Sequence, residues 1–373
     1  MSKQKKLRVG IIFGGQSGEH EVSLTSARGI MDAIDKDKYE VVPIGITRRG
    51  EWLAGENVYQ RLVDEAAGHP LLEGGPGRRA AVAETVSSLV AWSRETGRLD
   101  VVFPVLHGPF GEDGTVQGFL ELLGLPYVGA GVAASAVGMD KALAKDIFRA
   151  HGLPIVSHLV FLRREWQTEP EAVVATVEDT MPYPVFVKPA NMGSSVGIHK
   201  ARNRDELVRG LTDAARYDRK LIVEQGLEAR EIEVSVLGND EPIASVPGEI
   251  VPSREFYSYA AKYLDNSSDL LIPAPLDREY VNLFQQLAMM AFRALDCAGM
   301  ARVDFLLEKS TGEVFVNEVN TIPGFTPISM YPKLWEASGI SYTELIDRLI
   351  KLALERHREK MQNQTFFDVS TAE

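Results

Sequence analysis

The first third of the chain alternates short apolar runs with polar segments. Residues 7–13 (LRVGIIF) form a continuous apolar run of the kind found in buried parallel strands, and the runs at 39–47 and 100–106 repeat the pattern. Amphipathic helices are predicted from about Ser23 and within residues 114–124. Because strands and helices alternate, this part of the chain is predicted to form an open, parallel, Rossmann-like α/β sheet.

The rest of the chain mixes strands and helices in the irregular order that is typical of α+β domains. In the middle third, strands are predicted at 158–162, 183–188, 221–225 and 231–237, with a helix at about 204–216. In the last third, the pattern predicts a long helix at about 277–296, two strands at 300–308 and 313–320, and a final amphipathic helix at about 342–360. Gly312 in the KSTG segment between the two strands suits a hairpin turn.

Shifts in composition predict three domains. Small residues at 133–141 (AASAVGMDK) separate an N-terminal α/β domain, residues 1–138, from a central α+β domain, residues 139–246. Residues 247–373 then form a C-terminal α+β domain. The polar segment at about 55–97, which contains GGPGRR, is interpreted as a surface insertion in the first domain.

Composition narrows the class of protein. A chain of 373 residues is longer than a single hydrophobic core usually organises, so more than one domain is expected. Its net charge of −12 argues against a nucleic acid or an anionic membrane as partner. A small anion held by a few lysines is still compatible with that charge. Cys297 is the single cysteine, which excludes an intramolecular disulfide and a cysteine-based zinc cluster. Because no apolar run suits a membrane span or a signal peptide, a cytoplasmic protein is predicted.

A lysine followed by a glycine–serine loop is the first candidate for chemistry. In VFVKPANMGSSVG (185–197), Lys188 ends a predicted strand, and Gly193 and Ser194 lie in the loop that follows. Such a loop offers backbone N–H groups and hydroxyls to a phosphate. The lysine precedes the glycines, so this is not a P-loop, and a flexible flap over phosphates fits better. An ordinary surface loop is the alternative interpretation.

Acidic residues near the end of the chain are the second candidate. Glu318 and Asn320 are two residues apart on one predicted strand, so they share a face, and hairpin pairing brings Asp304 to the same face. Three oxygen ligands suit Mg²⁺. Arg302 shares the face of Asp304 and can stabilise developing negative charge. The alternative is a solvated sheet face, which the apolar neighbours of these residues disfavour.

Two further polar clusters follow predicted strands. GGQSGEHEVS (14–23) contains Glu19, His20 and Glu21, and HGPFGEDG (107–114) begins with His107. Ligands of α/β sheets bind at such strand ends. The first cluster lacks the G-x-G-x-x-G fingerprint, so dinucleotide binding is disfavoured. A purely structural interpretation, with Ser23 and Asp113 capping helices, is equally compatible with the two patterns.

Six motifs taken together resemble the D-alanine–D-alanine ligase family of the ATP-grasp superfamily. They are GGQSGEHEVS, HGPFGEDG, VKPANMGSSVG, AKYLD, ARVDF and NEVNTIPGFTPISMYP, in the order that the family has them. The similarity spans about residues 7–360. It implies an ATP-grasp fold in which the central and C-terminal domains sandwich ATP.

The resemblance also implies a reaction and its partners. ATP phosphorylates the carboxylate of one D-alanine, and the amine of a second D-alanine attacks the acyl phosphate to give the dipeptide used in peptidoglycan synthesis. Two Mg²⁺ ions are implied, with Mn²⁺ as a substitute, and they supply charge neutralisation for phosphoryl transfer. A homodimer is compatible with the family.

Site residues are carried over from the same resemblance. The lysines implied to bind the ATP phosphates are Lys141, Lys188 and, for the γ-phosphate, Lys262. The residues implied around the adenosine are Glu224, Glu231 and the hinge Gln225, Gly226 and Leu227. The implied Mg²⁺ ligands are Asp304, Glu318 and Asn320.

The amino-acid substrates have implied partners too. Glu21 is assigned to the ammonium of the first D-alanine and His107 to its carboxylate. The oxyanion hole is assigned to Arg302 and the N–H of Gly324, and the second carboxylate to Ser329 and the N–H of Met330. A hydrogen-bonded chain of Glu21, Ser194 and Tyr263 is expected to close the loop near 250–270 over the site.

Other functions compete with this interpretation. The nearest is a ligase of the same fold that uses D-lactate or D-serine as second substrate, although Tyr263 favours the dipeptide. A nucleotide-responsive binding protein without turnover is disfavoured by the intact Arg302 and metal ligands. A dehydrogenase is disfavoured by the missing dinucleotide fingerprint.

Overall fold

Four strands near the N-terminus form a sheet in which the central strand is buried from its third residue onward. The computed structural model describes residues 5–55, 57–68, 97–251 and 269–364. The strands are β1 (Leu7–Gly14), β2 (Tyr39–Ile46), β3 (Trp52–Ala54) and β4 (Val101–Val105), in the order β3-β2-β1-β4. β1 is parallel to both β2 and β4, as the apolar runs predicted, and only the short edge strand β3 is antiparallel.

Helices cover both faces of this sheet, because each face is apolar. They are α1 (His20–Ala33), α2 (Val58–Gly68) and α3 (Thr115–Leu122). The next helix, α4 (Val132–Met139), instead places Ala134 in a separate buried cluster with residues of the last third of the chain. Val58 and Leu62 of α2 are buried in the core, so the beginning of the segment that we interpreted as a surface insertion is a packed helix. The remainder of that segment, residues 69–96, lies outside the described residues.

A second sheet is antiparallel and belongs to the middle of the chain. Its strands are β5 (His158–Leu162), β6 (Val185–Pro189), β7 (His199–Ala201) and β8 (Lys220–Gln225), in the order β5-β8-β6-β7. The helix α5 (Lys141–Ala150) precedes this sheet and places Ala144 and Phe148 in the same cluster as α4. The helices that pack on the second sheet are α6 (Arg163–Thr168), α7 (Pro170–Thr180) and α8 (Arg204–Tyr217). Asp140 caps α5 by accepting hydrogen bonds from the N–H groups of Ala142 and Leu143, and this fixes where Lys141 begins the helix.

The third sheet is the largest of the described residues. Its strands are β9 (Ala229–Gly238), β10 (Ile243–Ala244), β11 (Gly248–Val251), β12 (Asp269–Leu271), β13 (Gly299–Glu308) and β14 (Val314–Asn320), in the order β12-β11-β9-β13-β14 with β10 beside β9. The helices are α9 (Arg278–Ala294), α10 (Met330–Ala337) and α11 (Tyr342–Lys360). Gly312 has φ 74° at the predicted hairpin turn between β13 and β14.

One strand lies in a different sheet from the one that the sequence pattern indicated. We grouped residues 231–237 with the central segment, but β9 pairs along its whole length with β13. The reason is that β9 alternates buried apolar residues, such as Ile232, Val234 and Val236, which complete the core beneath β13. Strand periodicity gives the inward face of a strand but does not identify its partner.

The N-terminal sheet and the C-terminal helices share one apolar core. Phe13 of β1 and Trp335 of α10 belong to the same buried cluster. Phe325 joins them, since its ring lies 5.7 Å from that of Phe103 and 5.6 Å from that of Tyr342. Because such cores are close-packed, the loops at the ends of β1 and β4 are held at a fixed distance from the C-terminal sheet.

A charged side chain also joins these two parts of the molecule. Arg356 of α11 donates to the carbonyl oxygens of Gly129 and Tyr127, and its guanidinium lies 4.4 Å from the centre of the Tyr127 ring.

In the part of the chain that the structure describes, no helix combines the length and the apolarity needed to cross a bilayer.

Replacing Arg356 tests the interdomain contact. Arg356→Met is expected to lower the free energy of unfolding by about 2 kcal/mol, because two hydrogen bonds from a charged group and a cation–π contact are lost. Thermal and urea unfolding measure the change. Arg358→Met, at an exposed position whose Nε donates only locally to Leu354, is the control and is expected to shift stability by less than about 0.5 kcal/mol. Equal stability of the two variants would contradict the proposed contact.

Candidate active site

Side chains from all three sheets converge on one cleft. Its lining includes Glu19, His107, Lys141, Ser194, Arg302, Glu318, Asn320 and Gly324. These residues come from the loops after β1 and β4, the start of α5, the loop between β6 and β7, the strands β13 and β14, and the loop after β14. The fold therefore gathers polar positions that are separated by up to three hundred residues in sequence.

Three carboxylates lie side by side across the C-terminal sheet. Glu233 on β9 is the register partner of Asp304 on β13, and Asp304 is the partner of Glu318 on β14. Directly paired residues project from the same face, so the register places Asp304 beside Glu318 and Asn320 as the sequence pattern predicted. Neighbouring like charges repel each other, and this row therefore needs cations close to it.

Arg302 is the cation at the centre of the row. Its Nε and Nη2 donate to the two carboxylate oxygens of Asp304 at 2.6 and 2.7 Å, and Nε lies 3.0 Å from Oε2 of Glu233. Burial alone would lower the pKa of Arg302, but the two carboxylates raise it well above its usual value. A fixed guanidinium in a buried cleft can stabilise negative charge on a reacting oxygen.

The predicted metal ligands form an all-oxygen donor set. Asn320 Nδ2 donates to Asp304 Oδ2 at 2.9 Å, and Lys141 Nζ lies 3.4 Å from Glu318 Oε2. Two carboxylates and one amide fit Mg²⁺, which takes few protein ligands and fills its shell with water and phosphate oxygens. Among the described residues there is no group of three or more His, Cys, Asp or Glu able to hold a metal. Water and the phosphate oxygens of a nucleotide would supply the remaining ligands.

The predicted phosphate and adenine residues lie against each other. Lys188 Nζ is 2.6 Å from Glu224 Oε2, because β6 and β8 are adjacent antiparallel strands and the two side chains share a face. Burial would raise the pKa of Glu224, but Lys145 and Lys188 lower it to about 2. The carboxylate is therefore ionised at neutral pH, and it is an acceptor for a hydrogen-bond donor such as an amine.

The predicted hinge joins the central sheet to the C-terminal sheet. Gln225 and Gly226 follow Glu224 at the end of β8, and their backbone N–H groups donate to the carbonyl oxygens of Ser157 and Pro184, both at 2.9 Å. A side chain at position 226 would lie 2.6 Å from the Pro184 oxygen, so glycine is required there. Leu227 completes the link to β9, where Glu231 contributes a negative charge near Lys188.

The glycine–serine flap is folded onto the N-terminal domain. Ser194 and Ser195 have φ values of 50° and 62°, in the left-handed region that non-glycine residues rarely occupy. The Ser194 hydroxyl donates to Oε1 of Glu19, and a side chain at Gly193 would lie 3.0 Å from the other oxygen of that carboxylate. Backbone strain of this kind is found mainly at functional sites.

The contact to Glu19 corrects one expectation. We expected Ser194 to link with Glu21, but Ser194 donates to Glu19, and Glu21 pairs with Arg48. The physical reason is local: α1 begins at His20, so Glu19 lies in the strand–helix loop and faces the cleft, whereas Glu21 lies in the first helical turn. The two acids in the EHE segment are not distinguishable by spacing alone, and only the helix start separates them.

His107 is also brought into the cleft, together with an acid that the sequence reasoning did not single out. Its Nδ1 lies 3.1 Å from the carbonyl oxygen of Ile322 and 3.5 Å from Oε1 of Glu112. Burial alone would lower the pKa of His107, but Glu112 raises it above the usual value. Glu112 lies five residues after His107 in HGPFGEDG, and that turn returns its carboxylate to the ring. The charged imidazolium form suits an anionic ligand.

The loop after β14 carries the remaining predicted residues. Gly324 approaches Ser329 so closely that a side chain at position 324 would lie 3.0 Å from Ser329 Oγ. Ser329 Oγ is 2.7 Å from the hydroxyl oxygen of Thr326, and Met330 is the first residue of α10. A helix start presents free N–H groups that suit a carboxylate. Lys262 and Tyr263 lie outside the described residues.

The fold and the charged cleft together define an ATP-grasp protein. The solved structure of the D-alanine-D-alanine ligase from Coxiella burnetii is similar over 96% of this chain and 97% of its own, with a TM-score of 0.78 and 37% identity. The VanG D-Ala:D-Ser ligase from Enterococcus faecalis is similar over 94% of this chain and 100% of its own, with a TM-score of 0.77 and 36% identity. The predicted fold class is confirmed.

Sequence comparison identifies the family. The family models described as D-ala D-ala ligase N-terminus and C-terminus match residues 8–130 and 147–351. The D-alanine--D-alanine ligase of Heliobacterium modesticaldum is 54% identical over 96% of this chain and 98% of its own length. That of Natranaerobius thermophilus is 48% identical over 98% and 100%. The chain belongs to the D-alanine–D-alanine ligase family, as the six motifs predicted.

The metal assignment is tested on the side chain at the end of the carboxylate row. Glu318→Gln is expected to weaken Mn²⁺ binding in the presence of ADP by at least about tenfold, because a charged oxygen ligand is lost. Paramagnetic resonance of free Mn²⁺ measures the affinity. Glu313→Gln, at the exposed position directly before β14, is the matched control and should bind as the parent does. Unchanged affinity in the Glu318 variant would remove that residue from the metal site.

Proposed function

We propose that this chain joins two D-alanine molecules to D-alanyl-D-alanine at the expense of ATP. The observation that carries this proposal is the convergence of Lys141, Arg302 and Glu318 on one cleft, with the Lys188–Glu224 pair on the adjoining sheet. Cations for a triphosphate, acidic ligands for a divalent ion and a fixed guanidinium are the parts that carboxylate activation by phosphoryl transfer requires. The D-alanine specificity comes from the family to which the chain belongs.

The first step activates a carboxylate. An oxygen of the first D-alanine carboxylate attacks the γ-phosphorus of ATP, the bond from that phosphorus to the bridging oxygen breaks, and ADP leaves with the electron pair. Lys141 and Lys188 hold the phosphates in line, with Lys262 assigned to the γ-phosphate by family resemblance. Asp304, Glu318 and Asn320 would hold Mg²⁺, which neutralises phosphate charge when bound. Positioning and charge neutralisation provide most of the rate enhancement in such transfers.

The second step forms the peptide bond. The free amine of the second D-alanine attacks the acyl carbon, a tetrahedral oxyanion forms, and the bond from carbon to the phosphate oxygen breaks. The proton of the attacking amine is released, and inorganic phosphate leaves. Arg302 and the N–H of Gly324 stabilise the oxyanion.

Each substrate has its own binding groups. We assign the ammonium of the first D-alanine to Glu19, since this carboxylate, and not that of Glu21, faces the cleft. His107 takes the first carboxylate, supported by its raised pKa. Ser329 and the N–H of Met330 take the second carboxylate. The bond from Ser194 to Glu19 makes closure of the flap depend on the same acid, which links phosphate coverage to occupancy of the amino-acid site.

Several parts of the proposal rest on the family resemblance and on composition. They are the use of two Mg²⁺ ions or Mn²⁺, the three-domain division at residues 138 and 246, the closing role of Tyr263, the cytoplasmic location, the supply of dipeptide for peptidoglycan, and a homodimeric assembly. A D-lactate or D-serine ligase is not favoured, because relatives at about half identity are named for D-alanine as second substrate.

Turnover tests the proposed function directly. ATP, Mg²⁺ and the chain are expected to release phosphate only when D-alanine is added, with one phosphate released per dipeptide formed. Colorimetric phosphate and chromatography of the product give the two amounts. D-lactate and D-serine, each offered with D-alanine across a range of pH, are expected to give little mixed product near neutral pH. Nucleotide binding without phosphate release would instead support a binding protein without turnover.

The assignment of Glu19 in place of Glu21 is tested by comparing a variant at each position. Glu19→Gln is expected to lower kcat/KM for the first D-alanine by about 10²-fold, the equivalent of about 3 kcal/mol, because a charged partner in the cleft is lost. Glu21→Gln, two residues away, removes a carboxylate that pairs with Arg48 outside the cleft and should change kcat/KM by no more than a few-fold. Steady-state kinetics on both variants decides the assignment, and a larger loss in the Glu21 variant would reverse it.

A further inference from the structure

One fully enclosed cation has no role in the reaction described above. The side chain of Lys145, on the inward face of α5, is 1% exposed, whereas that of Lys188 is 12% exposed. A lysine is almost never buried so completely unless it is paired, because removing the ammonium from water is costly. Its partners therefore indicate what it does.

Lys145 and Lys188, the lysine proposed to bind phosphate, pair with the same carboxylate, that of Glu224. Lys145 Nζ lies 3.1 Å from Oε1 of Glu224, while Lys188 Nζ lies 2.6 Å from Oε2. Glu224 itself is 3% exposed, so both of its oxygens are held by ammonium groups inside the protein. Burial lowers the pKa of Lys145, partly offset by the charge of Glu224, and Lys188 lowers it further.

Lys188 and Lys145 differ in how easily each can move away from Glu224. Lys188 is at the end of β6, directly before the flap, and the proposed reaction requires it to turn toward the ATP phosphates. Lys145 is enclosed on a helix and cannot follow. If Lys188 alone paired with Glu224, its departure would leave a buried, uncompensated carboxylate, which is strongly destabilising. With Lys145 in place, the carboxylate keeps a counter-ion during the exchange.

A second contact extends from the same ammonium. Lys145 Nζ donates to the carbonyl oxygen of Asn317 at 3.2 Å, and Asn317 directly precedes Glu318 on β14. One buried group thus touches both the end of β8, where the purine is assigned, and the strand that carries the metal ligands. The distance between these two parts of the nucleotide site is set in part by this side chain.

We infer that Lys145 is a positioning residue for purine selection: it holds Glu224 ionised and oriented so that the carboxylate accepts the 6-amino group of the nucleotide while Lys188 serves the phosphates. This inference rests on the proposed function and on the family resemblance, which implies that adenine lies beside Glu224. It predicts that selection between 6-amino and 6-oxo purines depends on Lys145, although Lys145 does not touch the substrate.

The test compares ATP with ITP, which carries an oxygen in place of the amine. The parent is expected to prefer ATP, and Lys145→Met is expected to reduce the ratio of kcat/KM for ATP to that for ITP by about tenfold or more, mainly through KM for ATP. KM for D-alanine should change little. Arg356→Met is the control: it removes a partly buried cation elsewhere in the fold that also donates to backbone carbonyls, and it should lose stability without changing the ATP-to-ITP ratio.

A purely structural role for Lys145 would lower activity with both nucleotides equally, and an unchanged ratio would overturn the inference. A parent that uses ITP as well as ATP would overturn it too. Should Lys145→Met not fold, Lys145→Gln keeps an amide donor without the charge, and a smaller loss of the ratio in the same direction is expected. Absence of dipeptide synthesis by the parent with ATP would contradict the proposed function instead, so the two failures are distinguishable.

Discussion

The row of carboxylates across the C-terminal sheet is the constraint on which the site depends. Glu233, Asp304 and Glu318 occupy paired positions on three adjacent strands, where their charges repel unless cations are close by. Arg302 and Lys141 provide those cations within the protein, and in the proposed function a divalent ion and its nucleotide would provide the rest.

Charged side chains also stabilise one another in the central sheet. Glu224 lies between Lys145 and Lys188, so one acid is ionised well below neutral pH and two lysines are held in place by it. Glu19 anchors the flap through Ser194, and Glu112 supports His107. In each case a carboxylate fixes the position of a group that is proposed to contact a substrate. The apolar core shared by the N-terminal sheet and the C-terminal helices keeps these anchors in register.

Much of the fold follows from local pattern. The apolar runs of the first third predict the parallel sheet, and Asp140 marks the start of α5 as its cap. Gly312 predicts the hairpin turn that places Asp304 opposite Glu318. The pattern did not give the sheet to which β9 belongs, nor the burial of α2, because periodicity specifies which face is apolar and not what covers it. Motif order supplied the family, and with it most of the candidate site.

What the sequence by itself determined is therefore the set of chemical groups and the faces on which they lie: the flap after Lys188, the acids of the last hairpin and the family of the chain. The tertiary structure alone decided which of two neighbouring acids enters the cleft, since a single residue at the helix start turns Glu19 inward and Glu21 toward Arg48. It also decided that Lys145 is buried against Glu224. Both outcomes depend on contacts between distant segments, and electrostatic pairing over such distances leaves no local periodicity to detect.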